Sequence, residues 1–402
     1  MHLLFVADGR SPISRRWIKG ALALNHQVTL VSTYPCEPLE GALATHILPV
    51  AFSALSGSQV SGGASSRPAS AARRLLTRSR SLLISARRLL GPLTLPFYAP
   101  RLAAIIEQAR PDLVHALRIP FEGMLAASAQ STVPLAVSIW GNDLTLHGSA
   151  SPLMRTLTQR TLRRANGLAA DVARDIRLAP AWGFSMDRAT LVAPGNGGID
   201  LQEMAQITNV LPSKIVEFAP QGTPLVIMPR GIRPQYVQND VFFQAIPMVL
   251  DRRPEVKFIC PSMAGQVEAT RWLEKLQLSH AVCLLPYLQQ PQLWNLFRRS
   301  EITVSVTTHD GLPNTLLEAL SLGCFPIVGD IESLREWITP GVNGLLVEPA
   351  KPQALADAIL LALSRPELRA EAAAENLNQV RNRAEIQLVR AQMQIFYQRV
   401  TD

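Results

Sequence analysis

THDGLPNTLLEALSLGCFPIVGDIESLREWITPGVNGLLVEP, residues 308 to 349, decides how this chain folds. It follows an apolar run, ITVSVT at 302 to 307, that reads as a strand buried on both faces. The strand ends in the polar turn Asp310-Gly311, and Pro313 opens a helix whose first turn carries Asn314 and Thr315. In an open parallel sheet, ligands gather at the carboxyl ends of the strands, so this turn stands at the ligand edge. Backbone N–H groups at such a helix start, reinforced by the helix dipole, suit a diphosphate. Gly311 lets a phosphate come close to the backbone, and Leu312 completes the turn. Glu318 lies slightly more than one turn beyond Asn314, where a carboxylate accepts hydrogen bonds from the hydroxyls of a ribose. Asp310, just before the helix, stands nearer a sugar. The two carboxylates bracket a nucleotide sugar from opposite ends.

Outward from this stretch, the same grammar repeats. PLVIMPR at 224 to 230, VKFICP at 256 to 261, VCLLPY at 282 to 287, FPIVGD at 325 to 330 and GLLVEP at 344 to 349 read as further buried strands. An earlier set comprises HLLFVA, QVTLVST, DLVHAL at 112 to 117, PLAVSIW at 134 to 140, GLAAD at 167 to 171 and ATLVAP at 189 to 194. Helical stretches separate them, which is the βαβ pattern of a parallel sheet. A chain of 402 residues is long enough for two such domains. We expect an N-terminal domain over 1–210, a C-terminal domain over 211–380, and a last helix over 381–402 suited to crossing back to the first.

Between the second and third strands, at about 52–100, lies an Arg- and Ser-rich insertion. Residues 51 to 100 hold Arg67, Arg73, Arg74, Arg78, Arg80, Arg87 and Arg88 and no acidic residue. Leucine pairs recur every seven residues there. Two readings stand side by side: the Arg67–Arg88 segment is an amphipathic helix on an anionic membrane surface or near an acidic acceptor, or a helix packed on its own domain with solvated arginines. Nucleic acid is not expected, because the Arg67–Arg88 segment holds no stacking aromatic.

The cysteines, Cys36, Cys260, Cys283 and Cys324, are scattered and read as reduced core residues, which favours the cytosol. The start MHLLFVADG lacks the pattern of a signal peptide, and no apolar run reaches the length of a membrane span. No pair of histidines has metal-ligand spacing, so no metal site and no cofactor are expected. His115, near the end of DLVHAL, and His147 are placed where they can face a ligand, and His309 neighbours Asp310; for each the commoner reading is an ordinary histidine satisfied at the edge of its element.

The stretch at 308 to 349 resembles the EGFPNxxLEAMAxGxPVV…NGxLV signature of glycosyltransferase family four, with its Glu-x7-Glu element. Asp310 takes the place of the first glutamate and Glu318 that of the second. Gly323, Glu336, Gly341, Asn343 and Gly344 fall in register, Pro326 comes one residue late, and the Gly-Gly pair is absent. MPRGIRPQY at 228 to 236 resembles the family's loop with an Arg and, five residues on, a Lys against the diphosphate: Arg230 matches, Gln235 replaces the lysine, and Arg233 offers a charge nearby. SIWGNDL resembles the family's THGxDL turn, with Trp140 in place of the histidine and with Asn142 and Asp143 following Gly141. PGNGGID at 194 to 200 resembles the turn before the interdomain connection.

The resemblance implies a GT-B fold of two doubly wound α/β domains facing a cleft. It further implies transfer of a hexosyl group from a nucleotide-diphosphate sugar, with retention of configuration and without a metal. Asp310 and Arg230 would be catalytic, with Glu318, Gly311, Leu312, Pro313, Asn314, Thr315 and Arg233 around the donor. Gly9, Arg10, Ser11, Trp140, Asn142 and Asp143 would meet the acceptor or the sugar, with Arg10 or Arg15 suited to an acceptor phosphate and Ser14 to a helix cap. The acceptor stays open between a glycan, a lipid-linked molecule and a small molecule. The departures at Trp140, Gln235 and Asp310 leave two alternatives: a protein that binds nucleotide sugar without transfer, and a nucleotide-sugar epimerase.

Overall fold

The computed structural model describes residues 1–55, 90–208 and 210–402. The chain divides into two units, Met1–Gly198 with Gln387–Asp402, and Ile199–Ile386. The Arg67–Arg88 segment of the sequence reading lies outside the described residues.

Unit 1 is built on a seven-stranded parallel sheet. Its strands are β1 (His2–Ala7), β2 (Gln27–Ser32), β3 (Ala44–Ile47), β4 (Leu113–Leu117), β5 (Leu135–Ile139), β6 (Gly167–Ala170) and β7 (Ala189–Val192), in the spatial order β3-β2-β1-β4-β5-β6-β7. Most of the apolar runs become strands buried on both faces, as in β1, where residues 3 to 7 are wholly inaccessible; β7 leaves Thr190 and Val192 exposed. β3 is the strand the sequence reading does not contain. Its residues ATHI lie half-exposed at the sheet edge, so no continuous apolar run marks it.

Unit 2 repeats the plan with six parallel strands, β8 (Leu225–Ile227), β9 (Lys257–Cys260), β10 (Val282–Leu284), β11 (Ile302–Ser305), β12 (Phe325–Gly329) and β13 (Leu345–Val347), in the order β10-β9-β8-β11-β12-β13. In both units the strand order steps outward from the first strand and then reverses. That reversal opens a crevice at the carboxyl ends of β1 and β4 in unit 1, and of β8 and β11 in unit 2. It is the place where an open α/β sheet binds its ligand.

The division falls at Gly198 rather than near residue 210. Gly197 and Gly198, both at positive φ, turn the chain out of unit 1, and Ile199 bonds to Ala384 and Ile386. Met204, Ile207, Thr208 and Val210 are held to unit 2, because Asn295 donates to the carbonyls of Thr208 and Val210 and Arg298 to those of Met204 and Ile207.

The final helix, Ile386–Thr401, buries Val389, Met393, Phe396, Tyr397 and Val400 among Leu3, Phe5, Trp17 and Leu113. Gly167 allows the approach, since a Cβ there would collide with Val400. A hydrogen-bonded row fixes the helix: Trp17 Nε1 donates to the Tyr397 hydroxyl at 2.9 Å, His115 Nδ1 lies 3.0 Å from that hydroxyl, and His115 Nε2 lies 2.9 Å from Ser138 Oγ. Of the two readings of His115, the satisfied histidine holds and the ligand-facing one does not. The ring is inaccessible, and burial pushes its pKa down to about 3, so it stays neutral in the core.

All four cysteines are free thiols, and burial pushes Cys260, Cys283 and Cys324 above the ordinary range. Among the described residues no helix is long and apolar enough to cross a membrane, and no three His, Cys, Asp or Glu side chains gather as a metal-ligand set.

Candidate functional site

In unit 2 the loop after β8 is sewn to the chain after β11. Gln238 N–H donates to Val306 O at 3.0 Å and Thr308 N–H to Tyr236 O at 2.9 Å. Asn239 closes the turn by donating to Gly231 O at 3.0 Å and accepting from Arg233 N–H at 3.2 Å. This stitching delivers Arg230 to Asp310: Nη2 lies 2.6 Å from Oδ2, and each side chain retains 13% of its exposure. Asp310 Oδ1 also accepts from Gly311 N–H, and Ser333 Oγ donates to the Asp310 carbonyl. Arg230 Nε is buried with no hydrogen-bond partner among the described residues. A guanidinium in a crevice with a donor to spare fits an anion. Arg233, exposed, donates to Arg230 O at 3.1 Å and so adds a second positive charge to the same loop.

The helix begun by Pro313 runs Asn314–Ser321 and has no side-chain cap. Its first amides are the unpaired donors of any helix start, and here they stand at the switch point. Thr315 Oγ1 beside them is buried and unpartnered among the described residues. Leu312 and Pro313 are buried and hold the turn against the core. Glu318, on the same helix, is 4% exposed, and Gln290 Nε2 donates to its Oε1 at 2.6 Å. Gln290 starts the neighbouring helix Gln290–Arg299, and the sequence reading did not include it. Nothing in the spacing of LQQPQL marks one glutamine among three as the partner of a carboxylate 28 residues on.

The rest of the signature makes the fold. A Cβ at Gly329 would stand 2.5 Å from Thr307 O, and one at Gly344 2.9 Å from Pro326 O. Asn343 donates to Trp337 O at 2.8 Å and to Asn376 Oδ1 at 3.0 Å and accepts from Thr339 N–H, tying the GVNG turn to the helix Pro366–Arg383. Gly323 and Gly341 take positive φ, of 76° and 75°, where other residues are strained. Gln235, at the lysine position, is exposed.

In unit 1 the residues read from the sequence lie after β1 (Gly9, Arg10, Ser11) and after β5 (Trp140, Asn142, Asp143), and their side chains are committed to different degrees. Gly9 is needed for packing rather than for a turn: a Cβ would meet Cys36 Sγ at 2.5 Å and Ser32 Oγ at 2.8 Å. Arg10 chelates Asp8 through Nε and Nη2, at 3.1 and 3.0 Å, and stacks on Tyr34 at 3.6 Å from the ring centre. Arg15 donates to the carbonyls of Gly9 and Glu37. Ser11, rather than Ser14, caps the helix Pro12–Ala23. The Ser14 side chain is buried inside it.

Asp143 is fully buried; it accepts from Arg118 Nε at 2.9 Å and from the amides of Ile119 and Trp140 at 3.2 Å. Burial pushes its pKa up against these favourable partners. Asp143 therefore clasps the β4 and β5 loops together instead of presenting itself to a ligand. Trp140 packs half-buried, with Gly195 against its Nε1. Arg174, also outside the sequence reading, supports this turn by donating to Gly141 O at 2.7 Å. Asn142 keeps a buried Oδ1 with no partner among the described residues.

Sequence reasoning also passed over Glu122. It is 4% exposed, Thr33 Oγ1 donates to its Oε1 at 2.6 Å, and Oε2 is buried and unpartnered among the described residues. Burial pushes this carboxyl up to about 7, against the pull of Thr33 and Arg118 and with a further push from Asp8. The fragment IPFEGML reads as an apolar segment, and only the fold brings Thr33 and Asp8 to it.

Residues 213–379 match the family model described as glycosyl transferases group 1, and residues 9–195 match that of the glycosyl transferase 4-like domain. Comparison with curated protein sequences finds no match. Among solved structures, sucrose-phosphate synthase from Thermosynechococcus elongatus is similar with a TM-score of 0.71 at 14% identity, covering 99% of this chain and 98% of that one. Anabaena HepE in complex with UDP and glucose is similar with a TM-score of 0.70 at 16% identity and 98% coverage of both chains. A glycosyltransferase from Rickettsia africae gives 0.67 at 15% identity, over 99% of this chain and 98% of that one. At these identities the likeness is one of fold. The two family models between them span most of both units, and the chain belongs to the group 1 glycosyltransferases, with the two-domain GT-B architecture.

Proposed function

We propose that the chain transfers a hexosyl group from a nucleoside-diphosphate sugar to a hydroxyl-bearing acceptor, with retention of anomeric configuration and without a metal. The observation that carries this reading is the Arg230–Asp310 pair at the switch point of unit 2, beside an uncapped helix start and one turn from a buried Glu318. Anabaena HepE is a similar fold solved with UDP-glucose, which supports a donor of that class.

In this reading the diphosphate lies against the amides of Asn314 and Thr315, with Gly311, Leu312 and Pro313 shaping the turn. Charge builds on the leaving diphosphate as the glycosidic bond breaks. Arg230, Arg233 and the helix dipole offset that charge from fixed positions, and such preorganised donors are each worth about 10²–10³ in rate. Asp310 receives sugar hydroxyls and keeps Arg230 in place. Glu318 accepts from the ribose, with Gln290 holding its carboxylate in one orientation. The acceptor belongs to the carboxyl edge of unit 1.

The test is turnover of a panel of labelled UDP-, GDP- and ADP-sugars, with the anomeric configuration of the product read by NMR. An α-linked product from an α-linked donor, in chelator-treated buffer, is expected. Donor bound but never consumed would support a binding protein instead, and conversion of the donor sugar alone would support an epimerase.

A further inference from the structure

The chain after β11 runs antiparallel to the loop after β8. Val237 and Thr307 pair as a bridge, Gln238 N–H donates to Val306 O at 3.0 Å, and Thr308 N–H donates to Tyr236 O at 2.9 Å. One more step in that register sets His309 opposite Gln235, and directly opposed residues put their side chains on one face, with Cβ atoms about 4.5–5.5 Å apart. The His309 ring is half-buried, and its Nδ1 lies 3.1 Å from Thr308 Oγ1. When Nδ1 accepts from that hydroxyl, the ring proton sits on Nε2, which has no hydrogen-bond partner among the described residues.

The charge on these two loops is small for a ligand that carries two phosphates. Arg230 is matched by Asp310 at 2.6 Å, and the helix start contributes about half a positive charge. Arg233 is exposed, and Gln235 is uncharged. His309 is the remaining basic side chain within residues 228–238 and 306–313.

We propose that His309 is a further donor-binding residue, whose Nε2–H contacts the phosphate distal to the ribose and so selects a diphosphate over a monophosphate. This role rests on the donor reading and adds to it a residue and a selectivity. With the ribose at Glu318 and the first phosphate on the amides of Asn314 and Thr315, the phosphate chain runs back along the turn toward Asp310 and His309. A hydrogen bond to a charged phosphate oxygen is the stronger kind, so its loss is measurable in binding.

Calorimetric titration at pH 7.5 of UMP, UDP, GMP, GDP, AMP and ADP into the full chain, His309→Ala and His309→Lys tests this role, with thermal melts to check that both variants keep the fold. For the base that the unsubstituted chain binds, His309→Ala should weaken the diphosphate about tenfold or more and the monophosphate by less than about twofold, and His309→Lys should restore the diphosphate to within about threefold. A histidine that only braces Thr308 would weaken both nucleotides alike. Equal losses for monophosphate and diphosphate, or no loss for either, overturn the proposal. If the unsubstituted chain binds none of the six nucleotides, the donor reading itself falls, and this role with it.

Discussion

The guanidinium of Arg230 and the carboxylate of Asp310 meet at 2.6 Å between the ends of β8 and β11, 80 residues apart in sequence. The two groups read separately from the sequence, one for the diphosphate and one for the sugar, form a single ion pair. In the proposed reading, one carboxylate both orients the sugar and holds the cation that faces the phosphate.

Removing either member alone strands the other in a mostly buried setting. Arg230→Ala is expected to destabilise unit 2 by about 1–3 kcal/mol and to lower transfer by about 10²-fold or more. Asp310→Asn leaves Arg230 charged and is expected to cost less stability. In a double-mutant cycle by chemical denaturation, the two losses should be non-additive by about 1 kcal/mol or more. Additive losses would mean that the pair is not energetically coupled.

Glu122 makes stability depend on pH. Its folded pKa, about 7, lies above the usual 4.5, so its contribution is present below about pH 4.5 and is lost as pH rises toward 7. Glu122→Gln should therefore match the unsubstituted protein at pH 4.5 and be the more stable of the two at pH 8, by up to about 3 kcal/mol. Thermal melts at both pH values read the difference.

His115 acts in the opposite direction. Its pKa is depressed from 6.5 to about 3, so the stability of the neutral ring is complete above about pH 6.5 and is lost as pH falls toward 3. Tyr397→Phe removes one partner of the ring and of Trp17 and should cost about 1–2 kcal/mol at pH 7.5, measured by urea unfolding.

Gly167 tests the seating of the last helix. Gly167→Ala places a methyl against Val400 and Phe396 and should cost about 1–3 kcal/mol through overpacking. Val400→Ala should recover part of that loss in the double variant, as followed by thermal denaturation.

The two sheets were legible because strands buried on both faces write themselves as continuous apolar runs; β7, with Thr190 and Val192 exposed, is read from ATLVAP even so. β3 was not legible, because a half-exposed edge strand such as ATHI carries no such run. The donor turn was legible because Gly311, Pro313, Asn314 and Glu318 sit within eight residues, where helix geometry alone fixes their relation. Gln290, Arg174 and Glu122 were invisible for the converse reason. Each takes its meaning from a group on another element, and no local period encodes that meeting. That His115 is satisfied in the core rather than facing a ligand was decided by a residue no local pattern could show: Tyr397 of the last helix, 282 residues on, covers it.

The central claim is that the helix Asn314–Ser321 holds a nucleoside diphosphate with Glu318 on its ribose. Calorimetric titration of UDP, GDP and ADP into the full chain and into Glu318→Ala tests it most directly. One of the three nucleotides should bind the unsubstituted protein, and the alanine variant should bind that nucleotide at least tenfold more weakly while retaining its fold. Equal affinity in the two proteins would contradict the assignment.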